Sequence, residues 1–140
     1  MKKVIFVFTV SIILIAILFT GCQEEEGITI ENPMEGVFFE SDILEIYNGS
    51  FVIDRNKNGI VTSAEVIFYF RNLLDRNINN LKISVDFCDK NDNVLKSFPY
   101  TFFVFPAGYM ERSANAFFYD GDNVIHVDHV NIHVIEYEIE

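Results

Sequence analysis

Apolar and polar residues alternate over residues 81–87. Leu81, Ile83, Val85 and Phe87 fall on one side, and Lys82, Ser84 and Asp86 on the other. A period of two is that of a strand with one buried and one wet face. The run Asp89, Lys90, Asn91, Asp92, Asn93 follows. Asn and Asp tolerate left-handed backbone and bond their own main chain, so a tight turn is predicted there. Val94 and Leu95 then open a returning strand, making residues 81–97 a hairpin. Residues 66–70 are apolar on both faces, which fits a central strand or a buried helical segment; periodicity alone does not choose. Residues 100–105 read as a strand stopped by Pro106 and Gly108, and 116–119 and 130–139 read as two more. Residues 43–47 and 50–54 flank Asn48-Gly49, and Asn-Gly between β-like runs is a strong hairpin signal. About seven or eight short strands with frequent turn signals predict an all-β fold, an antiparallel immunoglobulin-like sandwich.

Residues 4–18 break this pattern. They are an unbroken apolar run behind Lys2 and Lys3. Positive charge, an apolar core and a small residue are the ingredients of a secretory signal helix. The run ends at Phe19-Thr20-Gly21-Cys22, which resembles the lipobox of prokaryotic lipoproteins. In that motif a small residue precedes a Cys that becomes lipidated and is then the new amino terminus. Gly21 and Cys22 fit the pattern; Phe19 stands where Leu is preferred. The resemblance implies a signal peptide over residues 1–21 and lipid attachment at Cys22. It also implies an extracytoplasmic location, anchored to the cell membrane. An uncleaved membrane anchor is the alternative, since roughly 17–25 apolar residues span a bilayer. It would put the rest of the chain in the same place. Residues 22–27, with Glu24, Glu25 and Glu26, form a polar tether. Residues 28–140 are then one domain.

Charge narrows the partners. Asp and Glu number 21 against 10 Lys and Arg, a net charge of −11. Losing Lys2 and Lys3 makes the exported part more acidic still. Such a domain repels nucleic acid, which is excluded as a partner. The content of 15 Phe and 6 Tyr argues for a packed core. Cys88 is the only cysteine besides Cys22. With Cys22 lipidated it has no intramolecular partner, and a packing role is expected for it.

Residues 65–95 resemble the FxLYD-type domain, an immunoglobulin-like sandwich of prokaryotic lipoproteins and secreted proteins. Val66, Ile67, Phe68, Tyr69, Phe70, Arg71 and Asn72 fit that family's first strand and its Asn, and residues 81–87 fit its second strand. The name-giving motif falls on Val85-Asp86-Phe87-Cys88-Asp89, of which Asp89 matches literally. Pro106-Ala107-Gly108 resembles the Pro-Gly corner that follows. The resemblance implies the sandwich fold and carries no catalytic residues.

The sharpest chemical signal is residues 54–65. Calcium loops of the EF-hand type place oxygen ligands at positions 1, 3, 5, 7 and 12, with Gly at 6. Asp54, Asn56, Asn58, Ile60 (through its carbonyl) and Glu65 fall at those positions, and Gly59 at the glycine. Arg55 and Lys57 weaken any calcium site, and the competing reading is an Asn/Gly-rich loop between strands. His126, His129 and His133 would share a metal only on a helix; on a strand, His129 and His133 lie about 13 Å apart. Surface imidazoles are expected. No serine lies in a Gly-x-Ser-x-Gly elbow, and no carboxylate spacing singles out an acid/base pair. The sequence therefore points to a non-enzymatic module that binds or scaffolds another envelope or surface protein. The alternative is a weak calcium- or small-ligand-binding lipoprotein.

Overall fold

The computed structural model describes residues 34–112 and 116–140. The signal segment, Cys22 and the tether lie outside the described residues. Within these residues no helix is long and apolar enough to cross a membrane.

The expected all-β sandwich is the fold. In chain order the strands are β1 (Val37–Phe39), β2 (Leu44–Arg55), β3 (Val61–Asn72), β4 (Ile78–Cys88), β5 (Val94–Phe105), β6 (Met110–Arg112), β7 (Phe117–Tyr119) and β8 (His129–Ile139). One 3-10 turn, Val124–His126, precedes β8. The first sheet has the order β1-β8-β4-β5. In the second, β3 lies between β2 and the short β6 and β7. All pairings are antiparallel except β1 with β8, which is parallel over Val37, Phe38 and Phe39.

The period of two sets what faces the core. Leu81, Ile83, Val85 and Phe87 of β4 are fully buried. Val66, Phe68 and Phe70 of β3 face them across the sandwich and are also fully buried. Residues 66–70 are thus the central strand of their sheet. Rings from the two sheets interlock: Phe70 meets Phe102 at 6.1 Å, Phe87 meets Tyr119 at 5.8 Å, and Phe98 meets Phe117 at 6.1 Å between centroids. Each such pair adds about 0.5–1.5 kcal/mol beyond the burial of its area.

The hairpin predicted at Asn48-Gly49 does not form. β2 runs through it unbroken, with a bulge that leaves Tyr47 without a partner between the pairs Ile46–Phe70 and Asn48–Tyr69. Gly49 is needed there for its missing side chain. A Cβ would fall on the sulfur of Met34 and within 2.5 Å of the Ile67 carbonyl. The hairpin turn lies further on, at residues 56–60, where Gly59 holds a φ of 77°. The predicted strand over 100–105 is likewise the second half of the longer β5. That strand passes through Pro99, whose missing N–H is harmless because, among the described residues, β5 pairs only with β4.

Among the described residues three polar side chains are buried, Asn72, Asp86 and His129, and Asn72 lies deepest. Asn72, 1% exposed, ends β3. Its side-chain nitrogen lies 2.9–3.0 Å from the carbonyls of Arg76, Phe105 and Pro106, and its oxygen accepts the Leu74 amide at 2.9 Å. It ties the exit of β3 to the end of β5, and every polar atom of the side chain is satisfied.

Candidate functional site

The loop singled out for calcium is the turn of the β2–β3 hairpin. Asn56 N–H donates to the Ile60 carbonyl at 2.9 Å, and Gly59 N–H to the Asn56 carbonyl at 2.9 Å. Asn56 Oδ1 accepts the amides of Asn58 (2.9 Å) and Ile60 (3.1 Å). Arg55 reaches the Gly59 carbonyl at 3.1 Å. Two oxygens of the proposed ligand set, Asn56 Oδ1 and the Ile60 carbonyl, therefore already serve the turn. Asp54 and Glu65 sit on the two strands. Asp54 pairs with Ser63, which donates its hydroxyl proton to the Asp54 carboxylate at 2.8 Å, and Glu65 pairs with Val52. Alternation puts both side chains on the outer face as diagonal neighbours, with Cα atoms about 7–8 Å apart. An EF-hand would need a helix after Glu65; here β3 continues.

Polar chemistry concentrates elsewhere, on the outer face of the β1-β8-β4-β5 sheet. Register aligns Phe38, Asn131, Asp86 and Ser97 in one rung across the four strands. The next rung holds His133, Ser84 and Pro99, and Cys88 lies opposite His129 at the far end. Asp86 is the centre and is buried. Ser84 donates to Asp86 Oδ1 at 2.6 Å, and Ser97 bonds the same oxygen. Ser84 and Ser97 also meet at 2.8 Å. His133 Nε2 lies 3.6 Å from Asp86 Oδ2. A serine nucleophile needs its hydroxyl proton on a histidine that a carboxylate orients. Here the carboxylate itself takes both hydroxyls, so the cluster ties β4, β5 and β8 together and does not arm a nucleophile.

His129 is not the surface imidazole expected; its side chain is 8% exposed. Phe38 packs edge-on against it, with centroids 5.2 Å apart. Nδ1 lies 3.2 Å from Asp128 Oδ2, and Nε2 lies 3.1 Å from Asp92 Oδ1. The Nε2 approach is close but not aligned as a hydrogen bond, so it is a charge contact that operates when the ring is protonated. The two carboxylates flank opposite nitrogens and cannot share one ion with the ring. His133 is exposed and His126 lies in the 3-10 turn. Among the described residues no group of three or more His, Cys, Asp or Glu is arranged to hold a metal.

Cys88 is buried, as expected of a packing residue. Burial pushes its thiol pKa up, and the Asp86 charge adds to this. Its sulfur accepts a weak bond from Asn131 at 3.5 Å. A thiol held protonated is a poor nucleophile. Asp89 is the opposite case. The side chain of Asn93, then the amides of Asn91 and Asn93, donate to its carboxylate and hold its pKa below the ordinary value.

Beside this cluster the sheet is incomplete. β1 covers β8 at Val130, Asn131 and Ile132, and no other described strand lies on that side. Where β1 leaves the sheet, Phe38, Phe39, Glu40, Asn131, Ile132 and His133 line an open cleft of about 480 Å³. Phe38 is 60% exposed in it; beyond it on β8, Ile135 is also 60% exposed, and Tyr137 and Ile139 follow. The sequence hid these features because register, not composition, brings Ser84, Asp86, Ser97 and Asn131 together. No protein-family model, curated protein or solved structure matches the chain.

Proposed function

We propose that this chain is an extracytoplasmic lipoprotein, anchored to the cell membrane through lipid on Cys22. Its sandwich is a non-enzymatic module that binds or scaffolds another envelope or surface protein. The observation that carries the binding role is the partly filled strand position beside β8. It leaves main-chain groups and large apolar side chains exposed, and exposed apolar patches mark interaction sites. The polar groups of the outer face favour the same reading, because Asp86, Ser84, Ser97 and Cys88 are spent on each other and on the sheet. The likeness to the FxLYD-type domain gains support from Asn72. That Asn and the Pro106 corner, both quoted for the resemblance, meet through a hydrogen bond of 3.0 Å.

The test has two arms in bacterial cells expressing the full chain. An alkyne-tagged fatty acid should label the wild type and not Cys22→Ala, which should leave the membrane fraction. A label-free chain that stays in the membrane would replace the lipid by an uncleaved anchor. Photocrosslinkers placed on both outer faces should then yield an adduct with one defined envelope protein. Adducts from neither face would sink the binding role.

A further inference from the structure

We infer that the open stretch of β8 accepts an extended, cationic segment of a partner protein as an added strand. The inference rests on the domain being a binding module and names its site. β8 has 11 residues and β1 covers three of them. Val130 N–H donates to the Gly36 carbonyl at 2.9 Å, so even-numbered residues there point their main chain toward β1. Alternation carries this to Val134, beyond the end of β1. From Val134 onward the edge presents backbone groups that another strand can pair with. The cleft at Phe38, Phe39 and Glu40 is the point where such a strand would continue the line of β1.

The other long edges carry devices against pairing. β2 bulges at Tyr47, and β5 has Pro99, which has no N–H to donate. β8 also has a bulge, at Ile135, but its main feature is charge. Glu136, Glu138 and Glu140 follow one another at every second position, Glu40 stands in the cleft, and β8 contains no Lys or Arg. The neighbouring groups are Lys82 on Glu136 at 2.6 Å, Asn80 on Glu138 at 3.1 Å and Asn77 on Glu140. Among the described residues one lysine therefore faces three carboxylates along this edge.

That excess selects the occupant. A second copy pairing edge to edge would set Glu136 and Glu138 against the same residues, and like charges directly opposite destabilise a strand pair. The chain's own tether carries Glu24, Glu25 and Glu26 and is repelled in the same way. A segment alternating basic and apolar residues gains on both counts. Its basic side lies on the outer face with the glutamates, and its apolar side, turned to the other face, meets Tyr137 and Ile139, which alternate with them.

The probe is a synthetic peptide of alternating lysine and valine, added to the isotope-labelled full chain in non-ionic detergent. Amide shifts should concentrate on residues 133–139, and affinity should fall several-fold as salt rises from about 0.05 to 0.5 M. A glutamate–valine peptide should bind far more weakly. Glu136→Lys with Glu138→Lys, both on the exposed edge, should reverse the preference between the two peptides. Val134→Pro, which removes an N–H of the open edge, should abolish binding; if that variant does not fold, the charge reversal still decides. Shifts lying elsewhere, equal binding of the two peptides, or peptide-free dimerisation through β8 would each overturn the proposal. Crosslinks from another face, together with no peptide effect at β8, would end this inference and leave the binding-module reading standing.

Discussion

The two long hairpins close with the same turn, written in different residues. In residues 56–60 (Asn-Lys-Asn-Gly-Ile) and 89–93 (Asp-Lys-Asn-Asp-Asn), the first side-chain oxygen accepts the amides of the third and fifth residues. In both, the first N–H donates to the fifth carbonyl and the fourth N–H to the first carbonyl. In both, the fourth residue is left-handed: Gly59 at a φ of 77° and Asp92 at 63°. One of these turns carries a calcium-loop signature and the other does not. The comparison teaches that Asn and Asp at every second position, followed by a left-handed residue, is what a five-residue turn requires of itself. A metal is not needed to explain it.

The largest effect separates the two Asn-Gly pairs of the β2–β3 hairpin. Gly49→Ala should cost about 2–3 kcal/mol, because the new methyl meets Met34 and the Ile67 carbonyl in a filled space. At roughly 4–8 °C per kcal/mol this is a fall of about 8–24 °C in the melting midpoint. Gly59 has open space around it, so its cost is in the backbone alone. Gly59→Val should cost about 1–2 kcal/mol, since a branched residue resists the left-handed region. Gly59→Asp, which copies Asp92 of the other turn, should cost less than half of that. Equal losses for valine and aspartate would break the equivalence of the two turns.

Charge is the remaining difference between the turns, and pH isolates it. Asp89 has its pKa lowered from 3.8 by the donors of Asn93 and Asn91, whereas Asn56 does not titrate. A carboxylate whose pKa is lower folded than unfolded adds stability above the unfolded value, and that contribution is lost as pH falls through the folded one. Wild type should therefore exceed Asp89→Asn in midpoint at about pH 6, by less than either glycine effect. The gap should close as pH falls below the ordinary carboxylate range. A gap that stays constant would mean that the charge contributes nothing to the turn.

The same contrast sorts what was legible in the sequence. The 89–93 turn could be read because clean alternation on β4 leads into it and Asp and Asn fill it. The β2–β3 hairpin was placed ten residues early, at Asn48-Gly49 instead of Asn58-Gly59. A glycine demanded by a close approach looks the same in sequence as one demanded by a turn; only the position of Met34 and Ile67 tells them apart. The outer-face cluster was not legible at all. Ser84, Asp86, Ser97 and Asn131 occupy positions that alternate outward, and such residues read as solvent-facing until strand register stacks them. His129 misled for the same reason, since Phe38 of the distant β1 is what covers it.

The smallest expected effect is the one that tests the turn against the ion. Calcium takes six to eight hard oxygens, about 2.3–2.6 Å from the ion. At residues 54–65, Asn56 Oδ1 already holds two amides, the Ile60 carbonyl holds one, and Asp54 holds the Ser63 hydroxyl. A ligand at 100 times its dissociation constant would add about 2.7 kcal/mol of stability. To bind, calcium would have to break these bonds and draw Glu65 across from its place opposite Val52, so most of that gain would be spent. Melts of the full chain in millimolar calcium and in chelator should therefore coincide, for wild type and for Asp54→Ala alike. A shift of several degrees that Asp54→Ala removes would show that the two turns differ in function as well as in letters. The outer face of the β2–β3 hairpin would then become a second binding surface.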